Sequence, residues 1–300
     1  MRIRLSHHAV AALALALSAC GGGDGGGSGS GGGTPTPTPA PTPPPGAVYA
    51  APAQESLSTA DVQRIIAQAA GEAKARSLPS VIAVTDRVGN VLAVFRMTGA
   101  RETMVTSRLT ATGVINDPAV DAQGLELPAT MGAIAKAITG AYLSSAGNAF
   151  STRTASMIVQ QKFPPAPSTT GLESGPLFGV QFSQLPCSDL NTRFGAGGLA
   201  DALIGPKRSP LGLAADPGGF PLYKNGVVVG GIGVMGDGDY GFDPNVLDRD
   251  DDAEEAIALA GTQGFAAPDT ITADRIPVDG TSLRHADADL PGQARVACRR

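Results

Sequence analysis

Apolar positions first fall into a helical rhythm at Val62, Ile65, Ile66, Ala69 and Ala73. Ser58-Thr59-Ala60-Asp61 precedes them, a hydroxyl residue with an acid three places on, which is the form of a capping box, so the spacing predicts an amphipathic helix over 59–76 that ends at Leu78-Pro79. The pattern then changes to β-branched runs. Val81 to Thr85 and Val91 to Met97 flank Asp86-Arg87-Val88-Gly89-Asn90 and predict a hairpin. Residues 101–128 have weak periodicity and read as an irregular insertion. Helical spacing returns over Met131 to Ser144 and over Thr154 to Lys162, two helices joined through Ser145-Ala146-Gly147-Asn148, with Pro164-Pro165 ending the second. From 164 to 216 the chain is rich in Gly and Pro and little regular structure is expected. A second hairpin is predicted where Gly219 to Tyr223 and Val227 to Val234 flank Lys224-Asn225-Gly226, because Asn-Gly supplies the left-handed turn that two-residue hairpins need. Asp250 to Thr262 completes the set as a helix with acids in its first turn, where the helix dipole favours them. Helix, hairpin, helices, hairpin, helix is the order of an α+β fold, an antiparallel sheet with helices packed against it.

Composition adds an address and a tether. The chain has 40 Gly and 24 Pro in 300 residues, but residues 21–46 alone hold 11 Gly and 7 Pro, so the excess is local and the remainder is long enough for a large core. Arg2 and Arg4 precede an apolar run from Ala9 to Leu17, too short to span a bilayer, and the run ends in Leu17-Ser18-Ala19-Cys20. Leu-Ser-Ala-Cys resembles the lipobox of bacterial lipoproteins, which implies cleavage before Cys20, its acylation, and an envelope protein held on a membrane, periplasmic or surface-exposed. Residues 1–19 are then a signal peptide and 20–47 a tether, Gly-rich and flexible first, then the extended Thr-Pro tract 34–45. The folded domain is expected over 48–285, with an insertion at about 162–213, and 286–300 is expected to be a tail. A net charge of −5, no Trp and no dense Lys/Arg cluster exclude nucleic acid as the partner.

Four blocks resemble a known family. They are Leu57-Ser58 with the Asp61 to Ala75 helix; Val81 to Met97, reading VIAVTDRVGNVLAVFRM; Ala135 to Ala141, reading AKAITGA; and Gly218 to Leu222 with Gly226 to Gly236. Together they are similar to the GlcG/HbpS-like, haem-degrading-domain family, which also supplies the C-terminal domain of PduO-type proteins. The resemblance implies a profilin-like fold, a homo-oligomer and a pocket for a small molecule such as haem or another tetrapyrrole. Met235 stands where members commonly carry Ser. The same resemblance leaves a haem-degrading or other small-molecule enzyme, and a ligand-free assembly module, as further readings.

Candidate chemistry is sparse. Gly231-Ile232-Gly233-Val234-Met235-Gly236 has the spacing of a dinucleotide loop, but an acidic loop ending in Pro244 follows it where a helix should begin, so the glycines read instead as sites of close packing. Nine acids crowd positions 237–255, a solvated loop and helix start rather than a calcium loop, since no register satisfies the ligand offsets. With His7 and His8 in the signal, His285 is the one histidine left, which excludes multi-His metal centres and leaves a hydrolase triad without an elbow; its segment reads as surface. Cys187 and Cys298 either form a disulfide in an oxidising envelope or stay free. For a ligand wall, Lys136, Thr139 and Tyr142 recur along one helix and Asn148, Ser151, Thr152 and Arg153 gather in the loop after it, a set able to hold a carboxylate or propionate; Ser151 or Thr152 reads equally well as a helix cap, and Lys136 as solvated.

Overall fold

The computed structural model describes residues 54–108, 123–160, 162–164, 211–243 and 245–288. The signal, the tether, most of the 162–213 stretch, Cys20, Cys187 and Cys298 lie outside the described residues.

Helix α1 (Thr59–Ala75) starts as its sequence predicts. The Ser58 hydroxyl accepts from the Asp61 amide at 3.2 Å and the Asp61 carboxylate accepts from the Ser58 amide at 2.8 Å, which satisfies two of the donors a helix start leaves open. Strands β1 (Val81–Asp86) and β2 (Val91–Arg96) pair antiparallel around the 86–90 turn. Residues 101–128 are less irregular than expected: β3 (Thr103–Thr106) pairs with β4 (Glu126–Pro128), the two being brought together by a connection that hides their relation in sequence. Helices α2 (Ala129–Tyr142) and α3 (Thr152–Ile158) follow, the second beginning at a Ser151–Thr154 capping box two residues before the expected start. Strands β5 (Gly219–Lys224) and β6 (Val227–Met235) form the second hairpin, with Asn225 at φ 50° and Gly226 at φ 78° in the turn. A short β7 (Asp239–Tyr240) runs parallel to β3, and α4 (Ala253–Gly261) is capped by Asp252. A two-stranded β8–β9 ribbon (Pro277–Val278, Thr281–Ser282) precedes the last described residues.

The main sheet has the order β2-β1-β6-β5, all neighbours antiparallel. One face packs Ile82, Val84, Ile232 and Val234 against Ile65 and Ala69 of α1 and Ile257 of α4. The other packs Val81, Ala83 and Met235 against Ala133 and Ala137 of α2. The fold is therefore α+β in three layers, with helices packed on both faces of an antiparallel sheet.

Contact between α2 and the sheet is backbone to backbone. A Cβ on Gly231 would lie 2.0 Å from the Ala137 carbonyl oxygen, and one on Gly233 would lie 2.1 Å from that of Ala133. The GxGxxG spacing is thus a packing device for a helix rich in Ala and Gly, and strand β7 follows it where a nucleotide site requires a helix N-terminus. No helix among the described residues is long and apolar enough to cross a membrane.

Candidate functional site

Because α2 lies so close to the sheet, it is buried on nearly all sides, and Lys136 goes inside with it. Its side chain is fully buried, with Nζ 2.7 Å from Asp216 Oδ2 and hydrogen-bonded to the Glu254 carboxylate. Burial pulls the ammonium pKa down, but the two carboxylates outweigh it and hold the group protonated. Glu254 also accepts from the Asp237 amide at 3.0 Å, so one carboxylate joins α4 to α2 and to the β6–β7 turn. Burial pushes its pKa up to about 7 against the pull of Lys136. The Asp216 carboxyl is raised too, again by burial first.

Arg153 in α3 has the same fate. Its guanidinium is fully buried and reaches Asp243 and Asp250 at 2.8 Å, Glu255 at 3.1 Å and Asp287 at 3.6 Å. Burial raises the carboxyls of Asp243 and Glu255, with Arg153 opposing it. Four of the acids read in sequence as a solvated stretch, Asp243, Asp250, Glu254 and Glu255, are therefore partners of two buried cations. A charge buried on an apolar helix needs such a partner, and that was the signal available in the run Ala135-Lys136-Ala137-Ile138. Asp216 and Asp287, distant in sequence from either cation, carry no such signal.

The remaining predicted residues separate. Thr139 is buried and structural, its hydroxyl donating to the Ala135 carbonyl at 2.7 Å and accepting from the Ala214 amide at 2.6 Å. Ser151 is the cap of α3, and Thr152 accepts from the Gly219 amide at 2.9 Å. Asn148 donates to the Leu143 carbonyl at 2.7 Å and shapes the turn between the helices. Tyr142 is 45% exposed and donates to the Val88 carbonyl at 2.9 Å. His285 is not on the surface as its polar surroundings predict: it is half-buried, edge-on to Phe220 at 5.4 Å between ring centres, with Nδ1 3.2 Å from the Ala149 carbonyl.

Two concave sites lie beside these groups. One, of about 350 Å³, is lined by seven aspartates, Asp216, Asp243 and Asp250 among them. Carboxylate oxygens of Asp243, Asp248 and Asp250 lie within 4.8 Å of one another there. Its field rejects an anionic ligand. The other, of about 500 Å³, opens at the C-terminal end of α2. Val88, Ala141, Ala146, Val227 and Val228 make its walls, and Arg87, Tyr142, Ser144 and Ser145 supply its polar groups. Of the predicted binding residues only Tyr142 lines it; Arg87, in the 86–90 turn, carries no signal in sequence because a charged turn residue reads as solvated.

The model of the haem-degrading, HbpS-like protein family matches residues 57–107, which run from the cap of α1 to the end of β3. No curated protein matches the chain. Among solved structures the chain is similar to the haem complex of PduOC, at 17% identity and TM-score 0.36 over 70% of this chain and 96% of that one. It is similar also to the ORFY protein of Klebsiella pneumoniae, at 17% identity and TM-score 0.40 over 73% and 97%, and to a double mutant of Streptomyces reticuli HbpS, at 18% identity and TM-score 0.35 over 74% and 97%.

Proposed function

We propose, from the match of residues 57–107 to the model of the HbpS-like family, that the protein binds a planar, largely apolar small molecule bearing a carboxylate, a haem or another tetrapyrrole, in the cavity at the C-terminal end of α2. The observation that carries this reading is the donor set of that cavity: aliphatic walls for a macrocycle, the Arg87 guanidinium for a propionate, and the Tyr142 phenol, an oxygen donor that haem iron accepts in some proteins. Haem suits those groups and does not suit the aspartate-lined cavity, where its propionates would meet like charge. Bound haem would supply a coloured, redox-active iron. Arg87 would orient it, the apolar walls would exclude water, and the hydrogen bond that the Tyr142 hydroxyl donates to the Val88 carbonyl would give way to the ligand. The domain is held at a membrane by acylated Cys20 and displayed on the 20–47 tether.

The chain from Cys20 onward, titrated with haemin, is expected to give a saturable Soret shift at one haem per subunit. Tyr142→Phe should change the Soret position, and Arg87→Ala should weaken binding by about tenfold or more, the value of a hydrogen bond to a charged group. Non-saturating absorbance in the unaltered protein would remove the haem reading.

A further inference from the structure

The two ends of the main sheet differ in chemistry. β1 pairs Asp86 with Gly230 at one end and Val81 with Met235 at the other. The 86–90 turn and the Asn225-Gly226 turn therefore share the first end, and the Tyr142 hydroxyl, donating to the Val88 carbonyl at 2.9 Å, brings the C-terminal end of α2 to join them. Val88, Val91, Leu92 and Tyr142 are each 42–45% exposed there, beside the cavity that Arg87 lines. Asp237 and Asp239 follow Met235 at the second end and line the aspartate cavity. At the turn end the acids are engaged: Asp61 pairs with Lys224 at 2.9 Å, the Asp86 carboxylate accepts from the Val88 and Asn90 amides at 2.9 and 2.8 Å, and Glu55 accepts from Asn225 at 2.8 Å. Lys224 also donates to the Ser56 carbonyl at 3.4 Å, so the described chain begins at this same end.

We propose that the turn end of the domain docks on the phospholipid bilayer that holds Cys20, with Val88, Val91, Leu92 and Tyr142 seated among the headgroups and Arg87 at their phosphates. The inference rests on the Cys20 anchor proposed above and is independent of which ligand the cavity takes. Three observations choose a bilayer as the occupant. The chain from Cys20 to the first described residue is attached at this end, and at no more than about 3.6 Å per residue it reaches at most about 120 Å. An anchor at Cys20 therefore holds this end near the membrane, at an effective concentration of about a millimolar. The side chains are those of a membrane interface, aliphatic groups with a tyrosine and an arginine among them. The carboxylates that an anionic leaflet repels stand at the far end of the sheet, so the domain's own charge turns the apolar end towards the lipid. Four such side chains bind a bilayer weakly from solution, and the tether is what makes their docking persist.

The chain has no Trp, so a single introduced Trp reports its own surroundings. For the test, the chain from Cys20 onward, with Cys187→Ser and Cys298→Ser, is coupled through the Cys20 thiol to a maleimide lipid in vesicles of phosphatidylcholine with about a quarter phosphatidylglycerol. The emission of Leu92→Trp is expected to move to the blue on coupling. Lipid brominated on its acyl chains should quench it about fivefold or more strongly than Leu247→Trp, a 41% exposed position between Asn245 and Asp248 of the aspartate cavity. Adding Val91→Asp to Leu92→Trp sets a carboxylate against the phosphates and should abolish both responses with circular dichroism unchanged. Equal quenching at positions 92 and 247, responses that survive Val91→Asp, or emission that coupling does not move overturns the proposal; emission that is blue before coupling and stays so would show another part of the chain covering the turns. Should Val91→Asp fail to fold, the comparison of positions 92 and 247 decides it. The coupling is chemical and no haem is present, so failure here leaves the acylation of Cys20 and the haem reading standing; those fail separately, in cell fractionation and in the haemin titration.

Discussion

Arg153 places one guanidinium among Asp243, Asp250, Glu255 and Asp287, and Lys136 places one ammonium between Asp216 and Glu254. Each cation offsets the desolvation of more than one carboxylate, so its loss leaves buried charge behind. Arg153→Met is expected to lower unfolding free energy by about 3–5 kcal/mol, measured by urea titration; a loss under about 1 kcal/mol would mean that the cluster behaves as surface. The carboxylates set the pH response. Glu254 titrates at about 7 in the fold against an ordinary 4.5, raised by burial. The folded state therefore holds that proton more tightly than the unfolded chain: the stabilisation is complete below the ordinary value and is lost as pH rises through 7. Glu254→Gln should flatten the fall of the urea midpoint between pH 5 and pH 8. An unchanged slope in the variant would assign that fall to other groups. Neither cluster was legible as such in the sequence. The acids were visible as a crowd, but which of them would be drawn inside depends on where α3 and α4 meet.

At the scale of elements, local pattern was a good guide where periodicity and caps agreed. α1, the two hairpins and the Asn225-Gly226 turn stand where the alternation and the Ser58–Asp61 box put them. The guide failed for β3 and β4, short strands of four and three residues whose pairing spans a long connection and so leaves no local trace. Glycine has opposite meanings in different elements. Gly71 lies exposed within α1 with open space where a Cβ would go, so Gly71→Ala should raise stability by about 0.5–1 kcal/mol. Gly231 faces the Ala137 carbonyl oxygen at 2.0 Å from the position of a Cβ, so Gly231→Ala must push α2 off the sheet and should cost about 3 kcal/mol or more. Thermal unfolding of the two variants side by side checks both signs, and a Gly231→Ala protein as stable as its parent would refute the close packing.

For the molecule as a whole, the proposed anchor at Cys20 concerns where the domain sits. If acylated Cys20 holds it, Cys20→Ala should move the protein from the membrane fraction to the soluble one on cell fractionation, with the fold intact; unchanged partitioning would remove the anchor. The sequence by itself determined the α+β class, the two hairpins, the capped first helix and the Gly-Pro segment behind Cys20, because each is written in neighbouring residues through spacing, turn chemistry or composition. Only the tertiary structure decided that Lys136 and Arg153 are buried ion-pair centres, that His285 packs on Phe220, and that the glycines of β6 admit a helix. Those properties belong to pairs of surfaces far apart along the chain. What a side chain meets is set by how helices and sheet stack, and no single stretch of sequence carries that information.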